Sequence, residues 1–306
     1  MPVRASPGGG ESGSTALRTP PTVSGGVLAL AAAVAFGATT PLVQRLGRGV
    51  GPFTTATLLY LGATLVAAIA RGPRVDPLRQ ADVPRLLFVA LLGAVVGPIA
   101  LAWGLQRTSG VAASLLLNLE APFTVLLARA VWREPVSARI GGAVVAMGVG
   151  GALLVIEGRE ASVAGGWGSL AVAGATLAWA SDAVVGRPLA DRDAAQVVRV
   201  KSAIGAAASF VLGRALGEPW PAATTVAALA ACGAVGYGVS LGLYLRAQRA
   251  VGAARTGSVF AAAPFIGAGV ALALGERAAG ALTLAAGALC AVGVWLNLAD
   301  PHAPAS

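Results

Sequence analysis

Residues 118–134 read NLEAPFTVLLARAVWRE, an apolar run in which a carboxylate, Glu120, stands two residues before a proline and which closes on Trp132, Arg133 and Glu134. The pattern recurs 142 residues later: Ala121, Pro122 and Phe123 find Ala263, Pro264 and Phe265, and Glu134 finds Glu276. At the same step Leu101 matches Leu243, Gln106 matches Gln248, Arg107 matches Arg249, Gly110 matches Gly252 and Ala112 matches Ala254. Alanine matches weigh little in a chain so rich in alanine, so Gln-Arg, Pro-Phe and Glu carry the repeat. A step of 143 sets Phe36 over Trp179. The chain reads as one unit built twice.

Composition names the solvent of that unit. Hydrophobic residues make up 56% of the 306 positions and charged residues 11%, with a mean hydropathy of +0.77. A soluble domain is about a quarter charged and could not cover its surface with so few charges. The chain is therefore expected to lie in a lipid bilayer. A formal charge of +9 would point to nucleic acid in a soluble protein, but here the arginines fall between apolar runs, where they act as topology signals, and no nucleic-acid partner is expected. Cys232 and Cys290 each lie inside an apolar run and read as small packing residues.

A helix needs about 20 mostly apolar residues to cross the hydrocarbon core. Ten segments qualify, at about 23–44, 52–70, 86–105, 111–131, 140–156, 167–186, 195–213, 222–244, 256–274 and 279–298. The expected class is an all-α, polytopic membrane protein of ten helices. Residues 1–22 read as a disordered Gly/Ser/Pro-rich tail, 23–156 as a first five-helix repeat, 157–166 as a linker, 167–298 as a second repeat and 299–306 as a short polar tail. Five is odd, so the second copy enters from the opposite face, and rocking of such inverted halves can expose a midplane site to each side in turn.

With a cytoplasmic N-terminus, the inner segments hold Arg4, Arg18, Arg71, Arg74, Arg79, Arg85, Arg129, Arg133, Arg139, Arg187, Arg192, Arg246, Arg249 and Arg255. The outer ones hold Arg45, Arg48, Arg107, Arg159, Arg214 and Arg277. The bias predicts a multi-pass protein of the cell membrane with both termini cytoplasmic.

The polar residues at membrane depth are the candidates for function. Of 13 acidic residues, only Glu120 and Asp182 lie well inside spans, where a charge costs about 2.5–3.5 kcal/mol and faces a cavity or a partner. Lys201 is the one lysine of the chain and lies inside the seventh span. Glu120 and Lys201 are expected to line one cavity and to contact substrate or a coupling proton. A Glu120–Lys201 ion pair locking two helices, and snorkelling of Lys201 to the surface, are the bland alternatives.

Other residues frame that cavity. Pro122 and Pro264 each remove a backbone donor, freeing the carbonyls of Asn118 and Phe260, and broken helices of this kind can line a midplane site. Asn118 is placed to satisfy those groups or to touch substrate. Aromatics are only 5% of the chain, so Trp103, Trp179, Tyr237 and Tyr244, near midspan, suit a cavity for a solute of mixed character. Gly93 with Gly97 and Gly238 with Gly242 permit close helix packing. Trp132, Trp167, Trp220 and Trp295 read as interfacial anchors, and Glu134 and Glu276 as helix-end caps or gate ion pairs.

In LLLNLEAPFTVLLARAVWRE at 115–134 and GYGVSLGLYLRAQRAVGAARTGSVFAAAPFIGAGVALALGE at 236–276, with an aromatic midway along spans one and six, the chain resembles the drug/metabolite transporter superfamily, specifically its EamA-type members. The resemblance runs from about 23 to 298 and implies two inverted five-helix repeats and secondary transport. Many such proteins carry an arginine in the second span; LLYLGATL at 58–65 has none, so no role attached to it carries over.

The expected function is a secondary transporter exporting a small metabolite or amphipathic solute, driven by its gradient or by protons. A non-transporting scaffold or sensor and a lipid flippase are the competing readings. His302 lies in the tail and no GxxxxGK[ST] occurs, so no catalytic residue, metal site or cofactor is expected. The expected partners are a small-molecule substrate and the bilayer; spans five and ten, poor in polar residues, are open to lipid or to a second copy in a homodimer.

Overall fold

The computed structural model describes residues 21–69, 76–189, 192–276 and 280–299, and among these it is helical with no strand. Among the described residues ten helices are long and apolar enough to cross a membrane. They are α1 (Pro21–Leu46), α2 (Pro52–Ile69), α3 (Gln80–Leu105), α4 (Gly110–Trp132), α5 (Ala138–Ala161), α6 (Val163–Gly186), α7 (Ala194–Ala215), α8 (Ala223–Val251), α9 (Ala253–Ala273) and α10 (Ala281–Leu298). The face at which α1 begins is called the near face here, the other the far face.

Each span overlaps the apolar segment read from sequence, with ends that differ by at most seven residues, at Val251 of α8. The stretch 157–166 holds the end of one helix and the start of the next. Helix α5 runs to Ala161 and α6 starts at Val163, so Ser162 alone separates them. Ser162 accepts from Gly165 N at 2.8 Å, an N-cap. A Cβ on Gly165 would sit 2.6 Å from Gly158 O, so only glycine lets the turn close this tightly. The two expected tails fall outside the described residues apart from residues 21, 22 and 299.

Four spans are broken, and the breaks repeat. In α3 a π turn over Leu91–Val96 separates α3a (Val83–Ala90) from α3b (Gly97–Leu105), and in α8 a π turn over Ala234–Val239 separates α8a (Ala223–Gly233) from α8b (Ser240–Val251). Pro98, which lacks the N–H that Ala94 O would accept, accounts for the first. The second holds three small-residue positions, Ala234, Gly236 and Gly238, and no proline. In α4 a 3₁₀ turn at Leu117–Leu119 divides α4a (Gly110–Leu116) from α4b (Glu120–Trp132) just ahead of Pro122. A turn at 261–262 divides α9a (Ala253–Phe260) from α9b (Ala263–Ala273) just ahead of Pro264.

The two repeats interlock instead of standing side by side. Helix α1 packs on α8b and α9b of the other repeat, and α6 packs on α3b and α4b. Helices α2 and α7 pair across the pseudo-twofold axis, as do α5 and α10. Glycine makes these approaches at backbone distance: a Cβ on Gly62 of α2 would overlap Ala230 O of α8a, and its mate Gly205 of α7 faces Ala94 O of α3 at 2.5 Å. In lipid such close packing supplies association that hydrophobicity does not. The outward faces carry Leu65, Val145, Val149, Ile156, Leu284 and Val292, all exposed, which is the surface a bilayer covers.

Candidate binding site at the helix breaks

The π turn of α3 gathers the polar residues of the membrane interior. Gly93 O accepts from Tyr60 Oη of α2 at 2.7 Å and from Trp179 Nε1 of α6 at 3.0 Å. Above the same glycine Lys201 Nζ of α7 donates to Asp182 Oδ2 of α6. A Cβ on Gly93 would overlap that carboxylate and lie 2.9 Å from Lys201 Nζ, and one on Gly97 would lie 2.6 Å from Trp179 Nε1. These two glycines therefore admit side chains of a neighbouring repeat, not a neighbouring backbone. Lys201 neither snorkels nor takes Glu120 as partner.

Glu120 opens α4b and is half-buried. Its backbone carbonyl accepts from Thr124 Oγ1 at 2.8 Å. Its carboxylate makes no hydrogen bond or ion pair among the described residues, while Asp182, Lys201, Tyr60 and Tyr244 lie within its electrostatic reach. Asn118, one turn earlier, is buried and donates from Nδ2 to Leu115 O at 3.0 Å. It satisfies its own broken turn.

An aromatic band crosses the bundle beside this carboxylate. Tyr244 and Phe260 have ring centroids 5.0 Å apart, Phe260 and Phe36 5.7 Å, Phe36 and Tyr237 5.8 Å, and Tyr237 and Tyr60 5.6 Å. Tyr237 and Tyr244 thus join the site, as Trp179 does. Trp103 does not. It stands in the far half of α3, with the Arg107 guanidinium 3.8 Å from its ring centre and Arg107 Nη1 donating to Trp103 O at 2.9 Å. Gly238 packs on Val66, whose Cβ would lie 2.8 Å from an added methyl, whereas Gly242 faces open space. Tyr60 and Phe260 carry weight that sequence reasoning did not give them as site residues. Tyr60 is one of only three tyrosines in the chain, which is the signal that could have found it.

The two faces of the bundle are not equivalent. On the far face Glu276 Oε2, at the end of α9, accepts from Gly110 N at 2.7 Å and Val111 N at 3.3 Å, capping α4a. Gln44 Nε2 donates to Thr108 O at 2.8 Å, Thr108 and Ser169 hydroxyls meet at 3.3 Å, and Arg45 donates to Leu274 O. The symmetry mate of the Glu276 cap would join Glu134 to Gly252 and Ala253 on the near face. Glu134 instead pairs with Arg187, and the N-terminal turn of α9a has no side-chain cap.

Packing follows the same division. Helices α4a and α9b, the far halves of their spans, are closely packed, but α4b and α9a, the near halves, are not. All seven residues of α4a are buried. Of α8b only Ser240 and Ala247 are, and α4b buries only Pro122. A cavity of about 290 Å³ opens on the near side between Gly26, Val251, Arg255, Ser258 and Val259.

A broken, duplicated bundle with its polar residues at the breaks is now matched by kinship. Residues 23–156 match the EamA-like transporter family. The match lies in the first half of the chain. Over 149 residues, 46% of this chain, it is 32% identical to an uncharacterized transporter of Methanothermobacter thermautotrophicus (strain Delta H), and the alignment spans only 42% of that relative's length. The whole fold is similar to that of a protein of known crystal structure, with a TM-score of 0.63 at 21% identity over 90% of this chain and 94% of the other. The EamA-like repeat contains Asn118, Glu120, Pro122 and the π turn at Gly93. Asp182, Lys201, Tyr237 and Tyr244 come from the second repeat and meet it at the break.

Proposed function

We propose that this chain is a secondary transporter that exports a small amphipathic solute by alternating access, driven by the solute's gradient or by protons. The observation that carries the reading is the unequal treatment of symmetry-related ends: one face is tied by Glu276, Gln44 and Arg45, while the mate of the Glu276 cap is not made at the other, where Glu134 pairs with Arg187. A duplicated scaffold with no moving function has no need to break its own symmetry in this way. Inverted repeats supply two such arrangements of equal construction, one open to each side.

The arginine bias supports assigning the near face to the cytoplasm and both termini with it. The parted state then faces the cytoplasm, from which an exporter loads. Glu120, Asp182, Lys201 and the aromatic band are the binding residues of this reading, reached between α4b, α8b and α9a. The kinship of the first repeat to EamA-like transporters, and of 149 residues to an uncharacterized transporter, supports it.

Purified protein in proteoliposomes loaded with a metabolite panel tests the proposal. Saturable counterflow of at least one solute, lost in Glu120→Gln at equal protein content, is the expected result. A panel without any protein-dependent flux would sink the transporter reading and favour the scaffold.

A further inference from the structure

Resting on the transporter reading, we infer that the near-side cavity between α1, α8b and α9a holds a small amphipathic anion, its charged group on the Arg255 guanidinium. The cavity, of about 290 Å³, is walled by Gly26, Val251 and Val259, with Arg255 and Ser258 as its polar residues. That size stands at the lower end of small-molecule sites, about 300–1,000 Å³. Glu120, Asp182 and Lys201 do not line it, so it is a site apart from the ion cluster at Gly93.

Arg255 is exposed and makes no hydrogen bond or ion pair with the described residues. None of α1, α8b and α9a carries an acidic residue. The near-face carboxylates of other elements are engaged among the described residues: Asp76 with Arg79, Asp82 with Arg192, Glu134 with Arg187, and Asp193 on the N-cap of α7. A guanidinium offers five donors and no acceptor, and it keeps its charge at any physiological pH. While the cavity is open to water, solvent serves that charge. Once water is shut out, an anion brought in from outside the chain is the fitting partner, and a carboxylate or phosphate matches the guanidinium fork.

The far face shows what closing does to these positions. The repeat matches Arg255 with Ala113, Ser258 with Leu116, Val259 with Leu117 and Gly26 with Ser169. All four mates are buried, Ala113 and Ser169 completely, and the Ser169 hydroxyl meets that of Thr108 at 3.3 Å. The near-face copy departs from this filling at two places. Gly26 leaves room, since an added Cβ would meet nothing within 4 Å, and Arg255 sets a charge where the mate is a methyl. Under alternating access the near face takes on the packing of the far one, which carries Arg255 to a buried position. A buried charge left without a partner is strongly destabilising, so the near face closes with an anion on Arg255, Val251 and Val259 covering its apolar part. The occupant is a free solute and not a bilayer lipid, because the closed packing leaves no place for a two-chain tail.

The test compares three probes of one shape by isothermal titration of the purified chain in neutral detergent: 3-phenylpropionate, its neutral isostere 3-phenylpropionamide, and 3-phenylpropylammonium. The carboxylate is expected to bind about tenfold or more tightly than either of the others. Arg255→Ala, the loss of an exposed side chain, should melt like the parent and remove that preference while amide binding stays the same. Arg255→Lys should keep part of the preference, and Arg249→Ala, outside the cavity lining, all of it. Cysteines at Trp132 and Ala253 should cross-link in the parent only with the carboxylate present, and in Arg255→Ala without it. Equal affinity for carboxylate and amide, or an unchanged preference in Arg255→Ala, overturns the assignment. Carboxylate binding that is lost in phosphatidylglycerol nanodiscs but kept in phosphatidylcholine ones gives the site to a lipid headgroup and overturns the free solute. Counterflow of another solute by a chain that binds none of the probes overturns the anion site and leaves transport standing. Arg255-dependent carboxylate binding without flux of any solute overturns the transporter reading instead.

Discussion

The pairing of Lys201 with Asp182, and not with Glu120, can be tested by a thermodynamic cycle. Both side chains are largely buried, at 22% and 15% exposure, and both sit on the π turn at Gly93. Replacing Lys201 by Met strands the Asp182 carboxylate at membrane depth, and replacing Asp182 by Asn strands the ammonium. Breaking one side of a buried pair costs about 3–5 kcal/mol, whereas replacing both sides by uncharged groups of similar size is close to neutral. At about 2 °C of melting temperature per kcal/mol, Lys201→Met and Asp182→Asn should each lower the transition by on the order of 6–10 °C. The double variant should regain most of that loss. The cycle is read from melting curves of all four proteins in one detergent. A neutral interhelical hydrogen bond in lipid couples by only about 0.6 kcal/mol on average and 1.7 at most. A measured coupling at or below that level would refute the reasoning, because it would mean that no charge is stranded by either single change. The Lys201→Met/Glu120→Gln protein supplies the control: with Glu120 outside the pair, it should melt no higher than Lys201→Met alone.

The remaining predictions concern the ends and the glycines. Cysteines at Val111 and Leu274, on the closed face, should cross-link in the absence of solute, while cysteines at the corresponding near-face pair Trp132 and Ala253 should cross-link only under saturating solute; cross-linking of both pairs alike would mean that the bundle does not alternate. Glu276→Gln weakens the charge-assisted cap on Gly110 and Val111, worth about 0.5–2 kcal/mol, so labelling of a far-face cysteine by an impermeant reagent should rise; unchanged labelling would show that this cap does not hold the face shut. Gly62→Ala would drive a methyl into the Ala230 carbonyl and should cost about 1–3 kcal/mol, while Gly242→Ala, with open space around it, should be neutral or stabilise by about 0.5–1 kcal/mol; equal melting of the two would refute the packing argument. Tyr60→Phe leaves Gly93 O with Trp179 Nε1 alone and should cost about 0.5–1.5 kcal/mol, measurable as a small drop in melting temperature.

Much of the architecture is legible in the sequence because it depends on local quantities. A span is announced by apolar length, and the breaks before Pro122 and Pro264 by the missing N–H. The π turn at 91–96 could have been read from Pro98, but its mate at 234–239 has no proline, so nothing in a helical pattern distinguishes it. The ion pair was beyond reach for a different reason. Lys201, Asp182 and Glu120 sit on three different helices, and which two meet is decided by helix rotation, which Ala/Gly-rich faces leave open. Packing at Gly93 brings them together, since the Asp182 carboxylate and the Lys201 ammonium lie where its Cβ would be. The exchange of α1 and α6 between repeats is likewise silent in sequence. A five-helix repeat reads as a compact half, yet each first helix closes on the third and fourth helices of the other copy.

The duplicated and the single features of the chain obey separate physical constraints. Backbone approaches recur in mated positions, as at Gly62 and Gly205, because any helix pair in lipid needs small residues to associate. A charge at membrane depth costs about 2.5–3.5 kcal/mol each time it is used. Where α6 presents Asp182 to Gly93, α1 presents Thr39 to Gly236, whose added Cβ would lie 3.0 Å from the Thr39 Cβ. Thr39 Oγ1 is satisfied by Phe36 O at 2.7 Å and needs no ion. The mate of Lys201 is Leu58, fully buried in the core. A second ion pair and a second carboxylate would double the electrostatic cost and place like charges around one axis. The chain therefore repeats the helix break and keeps the charged cluster single, so the two repeats share a scaffold and differ in their polar chemistry at membrane depth.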